Sequence, residues 1–94
     1  MEFIRETGRL YHENAAGDMD AEILFPAIEN DTVWSIDATY VSPGLRGQGI
    51  AGQLLAEVVA LAKQENKQLR PICKYAKEKF FRTPEYQALE WHNQ

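Results

Sequence analysis

Arg46-Gly47-Gln48-Gly49-Ile50-Ala51-Gly52 is the stretch whose reading decides the fold. Its three glycines spell G-x-G-x-x-G, the spacing of a dinucleotide-binding turn, but the surroundings do not fit one. Such a turn follows the first strand of a parallel sheet, and an acidic residue lies about 20 positions beyond it. Here the preceding segment alternates like an antiparallel meander, the region where the acid would fall is Lys67 to Leu69, and only 42 residues follow Gly52. Read from its arginine, the same stretch is R-x-x-G-x-A at a strand–loop–helix junction. That pattern suits a pyrophosphate. Glycines let the backbone approach closely, successive N–H groups converge on an anion, and the helix N-terminus adds a favourable dipole. Arg46 adds a fixed positive charge with fork geometry. Two glycines alone would mean only a tight loop; the flanking arginine, strand and helix favour the anion cradle.

Upstream of the loop, residues 9–14 read as a short strand, Ala15-Ala16-Gly17-Asp18 as a hairpin connection, and residues 20–28 as a second strand that Pro26 marks with an edge or a bulge. Residues 33–41 make a third, rich in β-branched and aromatic side chains. Period-two alternation puts Trp34, Ile36, Ala38 and Tyr40 on one face and Val33, Ser35, Asp37, Thr39 and Val41 on the other. Downstream, residues 50–64 form the most regular helix, with Ile50, Leu54, Val58 and Leu61 in one stripe and Asn66 as its stop. Residues 69–73 are a short strand reached by a helical crossover, and so parallel to the strand before the loop. A helix over 75–82 and a final helical segment from Pro84, carrying Tyr86, Leu89 and Trp91, complete an α+β chain.

Ninety-four residues, 45% of them hydrophobic and 26% charged, make one globular domain over 1–94 and exclude a disordered or collagen-like chain. The first residues lack an apolar run, so no signal peptide is expected, and no segment is apolar enough to span a membrane; a cytoplasmic protein follows. A lone cysteine, Cys73, excludes an internal disulfide and a multi-cysteine zinc site. Residues 1–43 set two arginines against nine acids, while residues 44–82 set eight bases against three acids. The basic half coincides with the proposed anion loop. Nucleic acid is disfavoured, because the chain is acidic overall and lacks a recognition-helix or RNP-like pattern.

Four stretches in order carry a family resemblance: Thr39-x-Val41, Leu45-Arg46-Gly47-Gln48-Gly49-Ile50-Ala51, Pro71-Ile72-Cys73-x-Tyr75 and Pro84-Glu85-Tyr86. Together they resemble the GNAT-type N-acetyltransferases, and more closely the small YjdJ-type N-acetyltransferase-like proteins, over about Asp20 to Trp91. The resemblance implies a minimal GNAT-like fold: an antiparallel meander, then β-loop-α-β with two parallel strands splayed apart, then a C-terminal helix. Pro71 agrees with the splay independently, since it has no N–H to give a ladder. The resemblance also implies acetyl-CoA as co-substrate. Its pyrophosphate would lie on the N–H groups of Gln48, Gly49, Ile50 and Ala51, beside Gly47 and Arg46. Val41 would offer backbone groups to the pantetheine or thioester, and Lys74 and Lys77 would screen the adenosine phosphates. The reaction implied is transfer of an acetyl group to an exposed amine on a protein, a polyamine or a small molecule. The alternative is a CoA-binding sensor or interaction module without turnover.

Three residues are candidates for the chemistry. Cys73 ends a strand just before a helix, with Lys74 and Lys77 nearby, a setting that favours a thiolate nucleophile and an acetyl-cysteine intermediate. As a lone cysteine it is otherwise a small buried hydrophobe. Tyr75, by the resemblance, is the acid that protonates the departing CoA thiolate in direct transfer. Asp37, the one carboxylate within the central strand, is the base if one is needed. His12 and His92 have no visible partner in the sequence and take no role. Relatives typically carry Thr-His-Thr where this chain has Asp37-Ala38-Thr39, so any contribution of that histidine is absent. Full-size relatives also place two helices between their first strands to cover the acceptor. Here only residues 15–18 fill that gap, and an open acceptor side is expected.

Overall fold

Gly8 makes the first turn. The computed structural model describes residues 1–92, in which Ile4–Glu6 (β1) and Arg9–Glu13 (β2) form an antiparallel hairpin. Gly8 adopts φ +71°, and a Cβ built on it would sit 3.2 Å from Pro26 Cα, so a side chain is opposed by both conformation and space. β1 has no counterpart in the sequence reading, because three residues are too few for an alternation to show. The next connection is a tight turn. The Asn14 side-chain oxygen accepts from the N–H groups of Ala16 (2.9 Å) and Asp18 (3.0 Å), and Met19–Leu24 (β3) returns along β2. No helix separates these strands.

The second expected strand stops short of Pro26 and resumes as Ala27–Ile28 (β4). The third is also two strands, Val33–Ile36 (β5) and Ala38–Val41 (β6). Leu24 pairs with Ala38, whereas Ala27 pairs with Trp34, so two residues on one side face three on the other. This is a β-bulge at Asp37, whose N–H reaches the Leu24 carbonyl at 2.9 Å. The extra residue inverts the alternation beyond it. Trp34 and Ile36 are buried as expected, but after the bulge Thr39 and Val41 are half-buried while Ala38 and Tyr40 are exposed. The sequence-based placement of Ala38 and Tyr40 on the Trp34–Ile36 face is thereby corrected.

Ile50–Glu65 (α1) buries Ile50, Leu54, Leu55, Val58, Val59 and Ala62, in one core cluster with Leu10, Ala21, Ile23 and Ile36. It stops where the sequence suggested. Asn66 turns left-handed (φ 57°, ψ 44°) and returns its N–H to the carbonyls of Ala62 and Lys63. Leu54 is fully buried in that cluster. Leu54→Ala is expected to lower stability by about 2–5 kcal/mol, read as an earlier midpoint in urea at unchanged slope. A loss near zero would contradict a central place for this side chain.

The crossover delivers Gln68–Pro71 (β7) parallel to β5, paired from Val33↔Gln68 to Ile36↔Pro71. The sheets order β1-β2-β3-β6 and β4-β5-β7, and one stretch of chain, β5 to β6, passes from the second to the first. Pairing ends at Pro71, after which the N–H groups of Ile72 and Cys73 both point to the Ile36 carbonyl at 3.0 Å. β6 continues along β3 instead of following β7, and the two parallel strands diverge. Lys74–Arg82 (α2) and Pro84–Gln87 (α3) follow. The final helix is shorter than the sequence suggested. Leu89 and Trp91 lie beyond it, the Leu89 carbonyl accepting from Leu69 N–H and Trp91 N–H returning to the Leu69 carbonyl, both at 2.8 Å. This strap covers the outer edge of β7, which would otherwise stand unpaired.

Candidate functional site

The loop between β6 and α1 alternates in handedness. Gly47 has φ +85° and Gly49 φ +77°, while Gln48 between them stays on the ordinary side. A Cβ at either glycine would meet nothing within 4 Å, so the requirement for glycine is conformational and not spatial. Alternation of this kind turns successive N–H groups toward one point. Gly49 is also the N-cap of α1 and carries no capping side chain. From Gly49 to Gly52 no backbone N–H has a hydrogen-bond acceptor among the described residues; the first helical bond is Gln53 N–H to the Gly49 carbonyl, 3.1 Å. A run of unmet donors at a helix N-terminus is an anion site in waiting.

Arg46 closes one side. Its Nε donates to the Val41 carbonyl at 3.0 Å, which ties the loop to the end of β6. A cleft of about 210 Å³ opens here, walled by Val41, Leu45, Arg46, Ile50 and Tyr75 with Gly47, Gly49 and Gly52. It leads to the divergence of β6 from β7. Ser42 N–H pairs with the Asp20 carbonyl, so the even-numbered residues of β6 address β3 and the backbone groups of Thr39 and Val41 point to the diverging side. A larger hollow, about 480 Å³, lies at the other end of α1 between Arg5, Trp34, Glu65 and Lys67. Ion pairs Arg5–Glu65 (2.7 Å) and Lys67–Asp31 (3.3 Å) occupy its rim, and no residue nominated from the sequence reaches it.

Cys73 is the N-cap of α2, its Sγ accepting from Ala76 N–H at 3.4 Å. The same sulfur lies 3.5 Å from Thr39 Oγ1, across the mouth of the splay. Tyr75, in the first turn of α2, sets its hydroxyl over the first turn of α1, where a Gly52 Cβ would lie 3.5 Å from the oxygen. Partial burial raises its pKa above the usual tyrosine value, reinforced by Tyr86 and Cys73 and opposed by Arg82. The phenol therefore stays protonated throughout the neutral range. Asp37 is exposed at the bulge and accepts from Ser35 Oγ at 2.5 Å. Lys74 and Lys77 are exposed on α2; Lys77 lies with Phe81 and Arg82, and neither lysine walls the loop cleft.

A family model described as GCN5-related N-acetyl-transferase matches residues 10–89. The chain belongs to the GCN5-related N-acetyltransferases. Among solved structures of this family's kind, a GCN5-like protein from Staphylococcus aureus superposes with a TM-score of 0.79 at 27% identity, over 99% of this chain and 90% of that one. A GNAT family acetyltransferase from Elizabethkingia anophelis with acetyl-CoA bound gives 0.58 at 18% identity, over 85% of this chain and 50% of that one. A ribosomal-protein-alanine N-acetyltransferase from Brucella melitensis biovar Abortus 2308 gives 0.62 at 18% identity, over 92% and 64%. The chain thus spans between half and two thirds of these two larger proteins. No curated protein sequence matches it.

In this GCN5-related N-acetyltransferase the loop, Val41, Arg46 and Tyr75 line one cleft, and Cys73 lies opposite Thr39. Four residues escape a sequence reading. Thr39 was assigned to a face and given no part; only the bulge turns it toward Cys73. Ser35 and Arg70 are 35 positions apart, and the parallel register that joins them is invisible until β5 and β7 pair. His12, given no partner above, bonds Asp20 through Nδ1 at 2.7 Å. Among the described residues no helix is long and apolar enough to cross a membrane, and no group of acids, histidines and cysteine is arranged to hold a metal ion.

Proposed function

We propose that the chain is an acetyl-CoA-dependent N-acetyltransferase that passes the acetyl group to an exposed amine. One observation carries this reading: the unmet N–H donors from Gly49 to Gly52, which open a helix directly after two left-handed glycines. Gln48, Gly49, Ile50 and Ala51 would bind the pyrophosphate through their backbone, with Arg46 beside them. Val41 would meet the pantetheine arm through its N–H, its carbonyl being taken by Arg46. Lys74 and Lys77 would interact with the adenosine phosphates from α2.

In direct transfer the amine nitrogen forms a bond to the thioester carbonyl carbon and the carbon–sulfur bond breaks. The amine proton goes to the Asp37 carboxylate, and the departing thiolate takes the phenol proton of Tyr75. The position of the Cys73 sulfur at the mouth of the splay supports a second route, in which the acetyl group passes first to that sulfur and then to the amine. Intact-mass measurement after mixing with acetyl-CoA separates them. A mass gain of one acetyl group that vanishes in Cys73→Ala, together with lost turnover, indicates the covalent route. Turnover on an amine panel with Cys73→Ala fully active indicates direct transfer. Calorimetric binding of CoA with no adduct and no transfer would leave a CoA-binding module, and no binding at all would overturn both.

A further inference from the structure

We propose, on the transferase reading above, that Ser35 and Arg70 are positioning residues for the Asp37 carboxylate. Ser35 is 0% exposed, a polar side chain in a strand whose other members are apolar. Arg70 stands directly across the parallel ladder from it. Arg70 Nε and Nη2 both donate to Ser35 Oγ, at 3.1 and 2.9 Å. A serine hydroxyl has two lone pairs and one proton. With both lone pairs engaged by the guanidinium, the proton has one place to go, and Asp37 Oδ1 lies 2.5 Å away. The direction of the relay is therefore fixed. A half-buried positive fork on β7 polarises a buried hydroxyl on β5, and that hydroxyl holds an exposed carboxylate at the bulge.

Two features connect this relay to proton transfer and not merely to strand pairing. The relay ends at the place where pairing of β5 with β7 stops and the strands part. Only Oδ1 of Asp37 is engaged, and Oδ2 has no hydrogen-bond partner among the described residues. A carboxylate anchored by one oxygen and free at the other is oriented to accept a proton from an amine; the amine N–H bond breaks as the Oδ2–H bond forms. An exposed aspartate without such an anchor would sample several rotamers, and a base outside hydrogen-bond reach of its proton does nothing.

The test combines side-chain couplings with kinetics. Three-bond Hα–Hβ couplings of Asp37 should report one χ1 rotamer in the wild type and an average in Ser35→Ala and in Arg70→Lys, which keeps the charge but loses the fork. Ser35→Ala should lower kcat for acetyl transfer by at least about tenfold, with KM for acetyl-CoA within about twofold. In an Asp37→Asn background the same change should alter kcat by less than about twofold, because the serine acts through the aspartate. An equal loss in both backgrounds, or unaveraged couplings, would overturn the proposal and leave a pin between strands. If Ser35→Ala does not fold, Arg70→Lys supports the same comparison. A wild type that transfers no acetyl group would sink the transferase reading alone, while the couplings would still decide whether Ser35 and Arg70 position Asp37.

Discussion

Gly49→Val is expected to weaken CoA binding by about 100-fold or more, while Gly49→Asn weakens it only a few-fold. The difference isolates backbone conformation. Nothing lies within 4 Å of a Cβ at this position, so valine is not excluded by crowding. It is excluded by φ +77°, where a β-branched residue is strained by about 1–3 kcal/mol. The loop relieves that strain by rotating out of the left-handed region, which turns the adjoining N–H groups away from their common focus. Each hydrogen bond to a charged group contributes about 1.5–3 kcal/mol, so losing two corresponds to roughly 100-fold to 10,000-fold in affinity. Asparagine tolerates left-handed backbone and keeps the donors aimed. Calorimetric titration with CoA measures both variants. Equal weakening by valine and asparagine would mean that the loop's handedness does not matter to the ligand.

Tyr75→Phe should lower kcat by about 100-fold to 10,000-fold, with acetyl-CoA affinity unchanged, if the phenol supplies the proton to the leaving thiolate. The pH dependence carries the sign. Burial lifts the Tyr75 pKa above its ordinary value of 10.0, with Tyr86 and Cys73 adding to the lift and Arg82 opposing it. The acid form is thus complete through neutral pH, and wild-type kcat should fall only as pH rises past 10. The phenylalanine variant should lack that alkaline fall at its lower rate. The same shift bears on stability, since a phenol whose pKa is higher in the folded state stabilises fully below 10 and progressively less above it. A variant with wild-type kcat at pH 7 would remove Tyr75 from the chemistry and return weight to Cys73.

What could be read from the sequence was whatever depends on near neighbours. The helix read over 50–64, its asparagine stop and the glycine loop are local: a 3.6-residue stripe, a residue that tolerates left-handed backbone, a motif within seven positions. Pro71 as the end of pairing was also legible, because a missing N–H is a property of the residue itself. The bulge was not. Asp37 shows nothing in composition to mark it as an extra residue; its status arises from a two-against-three mismatch with residues 25–26 on the partner strand. One unseen residue reversed the faces of Ala38, Thr39, Tyr40 and Val41, and with them the identity of the side chain that meets Cys73. The candidate site divides the same way. Its glycine loop is continuous in sequence and legible there; its Ser35–Arg70–Asp37 part exists only through a parallel register and is not.

The parallel pair also sets an order on folding. β1 and β2 close across a two-residue turn, and β2 and β3 across the Asn14 turn, so both ladders join near neighbours. Val33 and Gln68 cannot meet until the whole of α1 has formed and swung back, and the entropy of closing that longer loop must be met before any contact rewards it. The V between β6 and β7 is bounded by that late-forming partner. Hairpins are therefore expected to assemble first, and the cleft beside the glycine loop last. In reverse, gentle destabilisation reaches the cleft before it reaches the meander, so loss of ligand binding should precede loss of sheet signal as denaturant is raised.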